Sequence, residues 1–322
     1  MSAERMTPSE QISDLGDLDP EQLREVLELI DAATDADGVS PVSEHVLLHL
    51  RHGTDAAGGT AETHNLLARS GNGTLAGYAH LDLTDPVSGG TAELAVHPDA
   101  RRLGIASLLM RGLEERTTGP MRLWAHGRLP GAQALAHRFG YLQARELWQM
   151  RRSLLAELPA IPPPEGITFR PFVVGQDEQA WTDVNNRAFV EHPDQGGWSL
   201  AQIRTREKEP WFDAEGFLLA EDDRDGRLLG FHWTKVHGGA GGSHAHDRLG
   251  EVYALGVDPS AQGRGLGPAL TVAGLRYLRG LGLSQVMLYV DGSNTGAIRV
   301  YERLGFTRWD VDVSYRRIAA AS

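Results

Sequence analysis

The chain repeats itself once, and the repeat is long. Glu93-Leu94-Ala95-Val96-His97-Pro98 matches Ala254-Leu255-Gly256-Val257-Asp258-Pro259, and Arg101 to Ala106 falls on Gln262 to Gly267, both 161 residues apart. Arg138-Phe139-Gly140-Tyr141 then matches Arg303-Leu304-Gly305-Phe306 at 165, as a small insertion in the second copy would produce. A period of this length is a duplicated domain rather than a solenoid repeat, and 322 residues suit two cores. Pro159 to Gly166 is proline-rich, stiff and poor in core residues, the composition of an interdomain linker. Residues 1–158, 159–166 and 167–322 are therefore expected as first domain, linker and second domain.

Both copies show one order of elements. Helical patterns lead (Pro20 to Ala33 and Ser43 to Leu50; Gln176 to Val190 and Leu200 to Lys208). Hairpins follow, Thr63 to Arg69 with Leu75 to Leu83 and Phe217 to Glu221 with Leu228 to His237, turned by Gly71-Asn72-Gly73 and Arg224-Asp225-Gly226. A strand, a glycine-bearing loop, a helix, a strand, a helix and a last strand complete each copy. That order predicts an α/β fold, a mixed sheet with helices on both faces.

The loop Gln262-Gly263-Arg264-Gly265-Leu266-Gly267 separates the strand Glu251 to Val257 from an apolar-periodic helix over Pro268 to Gly280. Glycines there let several backbone N–H groups surround one anion, and a helix N-terminus adds roughly half a positive charge. The ligand is therefore a phosphate or pyrophosphate. No Gly-Lys-Ser/Thr ending makes it a Walker loop. Gly-x-Gly-x-Gly is not the dinucleotide spacing, and Asp291 lies too far on for the ribose role.

Leu255-x-Val257-x-Pro259 followed by Gln262 to Gly267 resembles the acyl-CoA pyrophosphate loop of the GCN5-related N-acetyltransferases (GNAT). Asn294-Thr295-Gly296-Ala297-Ile298-Arg299-Val300-Tyr301-Glu302-Arg303-Leu304-Gly305-Phe306 resembles a second hallmark of that family. The resemblance implies two tandem GNAT domains, each a twisted, mostly antiparallel sheet, and acetyl-CoA as cofactor. It implies cofactor contacts from Leu255, Gly256, Val257, Gln262, Gly263, Arg264, Gly265, Leu266, Gly267 and Pro268, and from Asn294, Thr295, Gly296, Ala297, Ile298 and Arg299. A second acetyl-CoA site is implied in the first copy at Leu94, Ala95, Val96, Arg102, Leu103, Gly104, Ile105, Ala106 and Ser107.

The two copies differ in their chemistry. At a spacing of 161 Gly90 stands for Glu251, and at 165 Ala136 and Leu129 stand for Tyr301 and Asn294. Only Gly104 survives of the first loop's glycines, with Arg101 and Arg102 beside it as possible aids to a pyrophosphate. The second copy is thus expected to be catalytic and the first degenerate. Acyl transfer to an amine needs a base, a stabilised oxyanion and a proton for the leaving thiolate. The chain has no cysteine, which excludes a cysteinyl intermediate, disulfides and thiolate metal sites, and leaves direct transfer in a ternary complex. Glu251 is the expected base and Tyr301 the expected acid, and the resemblance makes the Val257 N–H the donor to the thioester carbonyl.

Asp37 to Glu44, His192 to Trp198, Leu229 to Lys235 and Gly250 to Tyr253 resemble one branch of the family, the mycothiol synthases, over nearly the whole chain. That resemblance implies acetylation of the cysteinyl amine of desacetylmycothiol (Cys-GlcN-Ins), with substrate contacts from Glu44, Asp194, Lys235, Glu251 and Tyr289 and the substrate between the domains. Asp194 is one methylene shorter than the Glu of the pattern. The alternatives are another amine, an aminoglycoside or a protein N-terminus, and a non-catalytic acyl-CoA-binding regulator.

A net charge of −12 argues against nucleic acid or anionic membrane as partner. No apolar run is long enough to span a bilayer, and the first residues do not read as a signal peptide, so a cytoplasmic location is expected. The protein is also expected to be a monomer. His244 and His246 lie in a glycine-rich stretch, and no metal is expected there. Trp181, Trp198, Trp211 and Trp233 read as core or pocket walls, while His97 and His126 carry no visible chemistry.

Overall fold

A computed structural model describes residues 12–53, 63–84, 89–190, 197–238 and 248–317. The chain divides into two compact units, Met1–Leu147 with Asp310–Ser322, and Trp148–Trp309. The packing boundaries therefore fall at other points than the boundaries of the repeated sequence, and the stretch from Pro159 to Gly166 lies inside the second unit. There Ile161 packs on the core, and the Pro159 carbonyl accepts from Arg276 Nη2 at 3.1 Å.

The first unit holds β1 (Ile12–Leu15), α1 (Pro20–Asp37), α2 (Glu44–His52), β2 (Thr63–Arg69), β3 (Leu75–Asp82), β4 (Gly90–Val96), α3 (Ile105–Arg116), β5 (Met121–Ala125), α4 (Pro130–Arg138) and the start of β6 (Tyr141–Ser153). Its strands lie in the order β1-β2-β3-β4-β5, with β4 and β5 parallel and the other pairs antiparallel. The last strand of the chain pairs antiparallel with β5, Val313 opposite Ala125 and Arg316 opposite Arg122. Helix α1 shows why the sequence ends elements where it does. Asp19 accepts from the N–H groups of Glu21 and Gln22, Gln22 reaches back to the Asp19 N–H, and Pro20 fills the first turn. Val26, Leu29, Ile30 and Ala33 form the buried stripe. The helix runs one turn past Ala33 because its stop signal is Gly38, at φ 73°.

The second unit takes the end of β6, then β7 (Ile167–Pro171), α5 (Glu178–Ala188), α6 (Leu200–Arg206), β8 (Phe217–Asp222), β9 (Leu228–His237), β10 (Leu249–Val257), α7 (Leu266–Gly280), β11 (Gln285–Asp291), α8 (Thr295–Arg303) and the start of β12 (Thr307–Arg317). Its strand order is β6-β11-β10-β9-β8-β7, with β10 and β11 parallel and the β7–β8–β9–β10 pairs antiparallel. The short strands β1 and β7 are too brief to show a period of two. The four tryptophans divide as core and rim: Trp181 and Trp233 are fully buried, Trp198 and Trp211 partly. Trp233 stacks on Phe217 with ring centres 4.4 Å apart. Among the described residues no helix is long and apolar enough to cross a membrane.

Candidate active site

The second unit's site grows from an irregularity in β10. Its ladder with β9 runs from Leu249–His237 to Val252–Thr234, skips Tyr253, and resumes at Ala254–Trp233. One extra residue bends the strand and increases its twist. On its other edge the parallel ladder with β11 has three rungs, ending at Val252–Leu288. Beyond that rung the two strands part, and Tyr253 to Val257 lead into the glycine loop.

Equivalent strand β4 pairs with β3 without interruption, from Asp82–Thr91 to Gly77–Val96. Counted from the first parallel rung of each unit, Gly90 with Met121 and Gly250 with Val286, Thr91 and not Gly90 occupies the place of Glu251. The constant spacing of 161 fails before the bulge by the one residue that the bulge adds. The first copy still has no carboxylate at that place.

The loop is built as the glycines suggest. Gly263 and Gly265 have φ of 77° and 80°, and Gly265 is the N-cap of α7. The helix starts at Leu266 rather than Pro268, so Leu266, Gly267 and Pro268 form its first turn. The N–H groups of Leu266 and Gly267 have no carbonyl to bond within the helix, which leaves donors of the kind that hold an anion at a helix start. Asp258 fixes the entry to the loop, accepting from Ser260 N–H at 2.9 Å and from Arg187 Nε at 2.8 Å. A Cβ built on Gly265 meets nothing within 4 Å. Gly265→Ala therefore acts through about 1–2 kcal/mol of left-handed backbone strain. The free loop relaxes out of the left-handed geometry, binding has to restore it, and a roughly tenfold weaker acetyl-CoA Kd is expected by titration calorimetry.

In the first unit Arg102 takes the position of Gly263 and adopts φ 66°, while Gly104, at 92°, matches Gly265. Helix α3 begins at Ile105, with Ile105 and Ser107 buried and Leu103 exposed. Arg101 is not available to a pyrophosphate as its sequence position suggests: its two terminal nitrogens each donate to Asp37 at 2.8 Å. Leu94 and Val96 are half-buried and Ala95 is core.

Glu251 is buried on β10, directly opposite Lys235 on β9 and beside Met287 on β11. His237 Nε2 lies 2.6 Å from its Oε2. Burial alone pushes the Glu251 carboxyl up, but the His237 hydrogen bond and the charges of His237 and Lys235 outweigh it and hold the group below its ordinary value. The buried Lys235 places its Nζ 4.5 Å from the Trp211 ring centre and 5.3 Å from that of Tyr253. Tyr253 in turn accepts from Arg206 Nε at 2.6 Å.

Tyr301 sits on α8, edge-on to Phe306 at 5.8 Å, and burial pushes its phenol up to about 12. It keeps its proton at neutral pH, as an acid for a thiolate must. Asn294 caps the same helix, its Oδ1 accepting from Ala297 N–H at 3.0 Å. Thr295, Gly296 and Arg299 are exposed around that cap, whereas Ile298 belongs to the core and Ala297 packs against it. Leu255 and Val257 are half-buried against the apolar residues beneath the loop, and Gly256 lies on Phe231, whose Cε1 a Cβ would approach to 2.6 Å. Gln262 and Arg264 are exposed.

Tyr289 follows the last rung of β11, and its hydroxyl accepts from Gln149 Nε2 at 2.9 Å. Glu44 is the first residue of α2 in the first unit and is half-buried. Asp194, His244 and His246 lie outside the described residues. Thus Lys235 and Glu251 are brought together.

Two arrangements escaped the sequence reading. His237 stands two residues beyond Lys235, so strand alternation puts both on the face of Glu251, a signal that was legible. His126 forms a largely buried bridge in the first unit. Its Nε2 is 3.2 Å from Glu93 Oε2 and its Nδ1 3.0 Å from Asp312 Oδ2, while Ser43 donates to Glu93 from N–H and Oγ at 2.6 and 2.8 Å. No local pattern links residues so far apart in the chain.

The sequence model of the acetyltransferase (GNAT) family matches residues 30–141 and 179–306, one match in each half. The chain belongs to the GNAT acetyltransferase family. A mycothiol acetyltransferase of Salinispora arenicola is 55% identical, over 93% of this chain and 94% of its own. Another, from Streptosporangium roseum, is 49% identical over 94% and 98%. Among solved structures, a GCN5-related N-acetyltransferase from Sphaerobacter thermophilus superposes with a TM-score of 0.66 at 26% identity, over 98% of this chain and 99% of its own.

Proposed function

We propose that this GNAT enzyme transfers the acetyl group of acetyl-CoA to the cysteinyl amine of desacetylmycothiol (Cys-GlcN-Ins), giving mycothiol and CoA. The observation that carries the substrate is the near-complete, roughly half-identical match to proteins named mycothiol acetyltransferase. The chemistry rests on the second half, residues 167–322, which has Glu251 and Tyr301 where the first has Thr91 and Ala136.

The glycine loop and the first turn of α7 bind the pyrophosphate, and the backbone of Leu255 to Val257 accompanies the thioester, with the Val257 N–H on its carbonyl oxygen. Asn294 to Arg299 complete the cofactor contacts. Glu251 takes the proton of the substrate ammonium, which has an unperturbed pKa of about 7.7–8.0. The nearby positive charge of Lys235 disfavours the ammonium form further. The neutral amine nitrogen bonds to the thioester carbon as its carbonyl opens to an oxyanion. When the carbonyl re-forms, the C–S bond breaks and the Tyr301 phenol gives its proton to the CoA thiolate. The second proton leaving the nitrogen restores the phenol through solvent. Glu44, Asp194, Lys235 and Tyr289 contact the substrate. The first half, residues 1–158 before a 159–166 linker, is a degenerate copy holding a second acetyl-CoA at Leu94 to Val96 and Arg102 to Ser107.

Purified protein with acetyl-CoA and Cys-GlcN-Ins is expected to yield N-acetylated product by mass spectrometry. No product while calorimetry shows acetyl-CoA bound would reject the substrate. The same titration counts cofactor sites, and one site instead of two would remove the cofactor role of the first half.

A further inference from the structure

We infer that His237 is a positioning residue for the acetyltransfer reaction: its imidazole holds Oε2 of Glu251, so that Oε1 is left to take the amine proton. This rests on Glu251 being the base. The geometry that carries it is a direct 2.6 Å contact between a buried carboxylate and a ring that is 36% exposed. The two side chains reach each other diagonally across neighbouring strands, β9 and β10, whose register is set on both sides of the contact by Leu249–His237 and Glu251–Lys235. A rigid pair of strands thus fixes the carboxylate's rotamer through its partner.

The first unit supplies an internal contrast. There too a carboxylate on the cofactor strand, Glu93, meets a histidine, His126, but both of its oxygens are taken, Oε1 by Ser43 Oγ and Oε2 by Ser43 N–H and His126. His126 is itself closed by Asp312 on its far nitrogen. That pair is locked into the fold. Glu251 has its histidine on Oε2, and that histidine is partly exposed.

Among the described residues, the charged groups that act on Glu251 are His237 and Lys235, both from β9. Its register partner on β11 is the apolar Met287, and its neighbours on β10, Gly250 and Val252, are apolar as well. His237 therefore helps to hold the base ionised, and removing it has a predictable sign. The Glu251 carboxyl rises, so the acidic limb of the kcat–pH profile moves to higher pH, by about one unit for an opposite charge in contact.

The experiment compares wild type, His237→Ala, His237→Asn, Glu251→Gln and Glu251→Gln/His237→Ala across pH 5–9 with saturating acetyl-CoA. His237→Ala is expected to lower kcat about tenfold with unchanged acetyl-CoA Kd and to shift the acidic limb upward. His237→Asn, which keeps a donor without the charge, is expected to recover rate while the limb stays shifted. In the Glu251→Gln background the second substitution is expected to do nothing more, because both act through one group. A wild-type limb in His237→Ala, or a further independent loss in the double variant, overturns the positioning role. If Glu251→Gln turns over like wild type, it is the base assignment that fails.

Discussion

Glu251→Gln is expected to lower kcat by about 10²- to 10⁴-fold, the range that one positioned general base contributes. The substitution keeps the shape of the side chain and an oxygen for His237, so the fold around β10 survives. It removes the only feature the reaction needs there, a carboxylate able to take a proton. Because Glu251 lies before the bulge and the glycine loop after it, acetyl-CoA affinity is expected to stay within about twofold, as an order-of-magnitude bound on an uninvolved residue. Tyr301→Phe is expected to cost about 10²-fold in kcat by the same reasoning about the leaving thiolate. Pre-steady-state mixing with excess acetyl-CoA separates the two: a wild-type rate of CoA release in both variants would remove them from the chemistry.

What was legible in the sequence follows from what repeats and what has a local period. The glycine loop, the hairpins and the amphipathic helices are local, and the duplication allowed each to be checked against its echo. The bulge at Tyr253 was not legible, since an extra residue in a strand looks like a shifted alignment until the ladders on both sides are seen. It moved the counterpart of Glu251 from Gly90 to Thr91 and left the contrast between the halves intact. The loop of the first copy was read as helped by two arginines. Asp37 takes Arg101, an ion pair between residues 64 positions apart that no spacing rule foresees. The packing boundaries at Leu147 and Trp309 were hidden for the same reason, because β6 and β12 each begin in one unit and end in the other.

His126→Gln is expected to destabilise the first unit by about 3–5 kcal/mol, because it leaves two buried carboxylates without their cation. His126 is 12% exposed, and Glu93 and Asp312 less than that. The bridge ties three segments together: Ser43 at the start of α2, Gly127 after β5, whose N–H donates to Asp312 at 3.0 Å, and β12. Burial alone pushes the imidazole's pKa down, but its hydrogen bonds and charge pairing with Asp312 and Glu93 raise it to about 10. A folded value above the unfolded one of about 6.5 stabilises fully below that unfolded value. The contribution is then lost progressively as pH rises toward 10. Wild-type Tm is therefore expected to fall between pH 7 and pH 10, and the variant's to lack that part of the slope. Glu93 adds the opposite limb, since its lowered carboxyl stabilises above its ordinary value and loses that contribution in acid. Urea unfolding of both proteins at pH 7 and pH 9.5 measures the difference. A variant within about 1 kcal/mol of wild type at pH 7, or one with the full alkaline slope, would show that the bridge is not what holds these three segments.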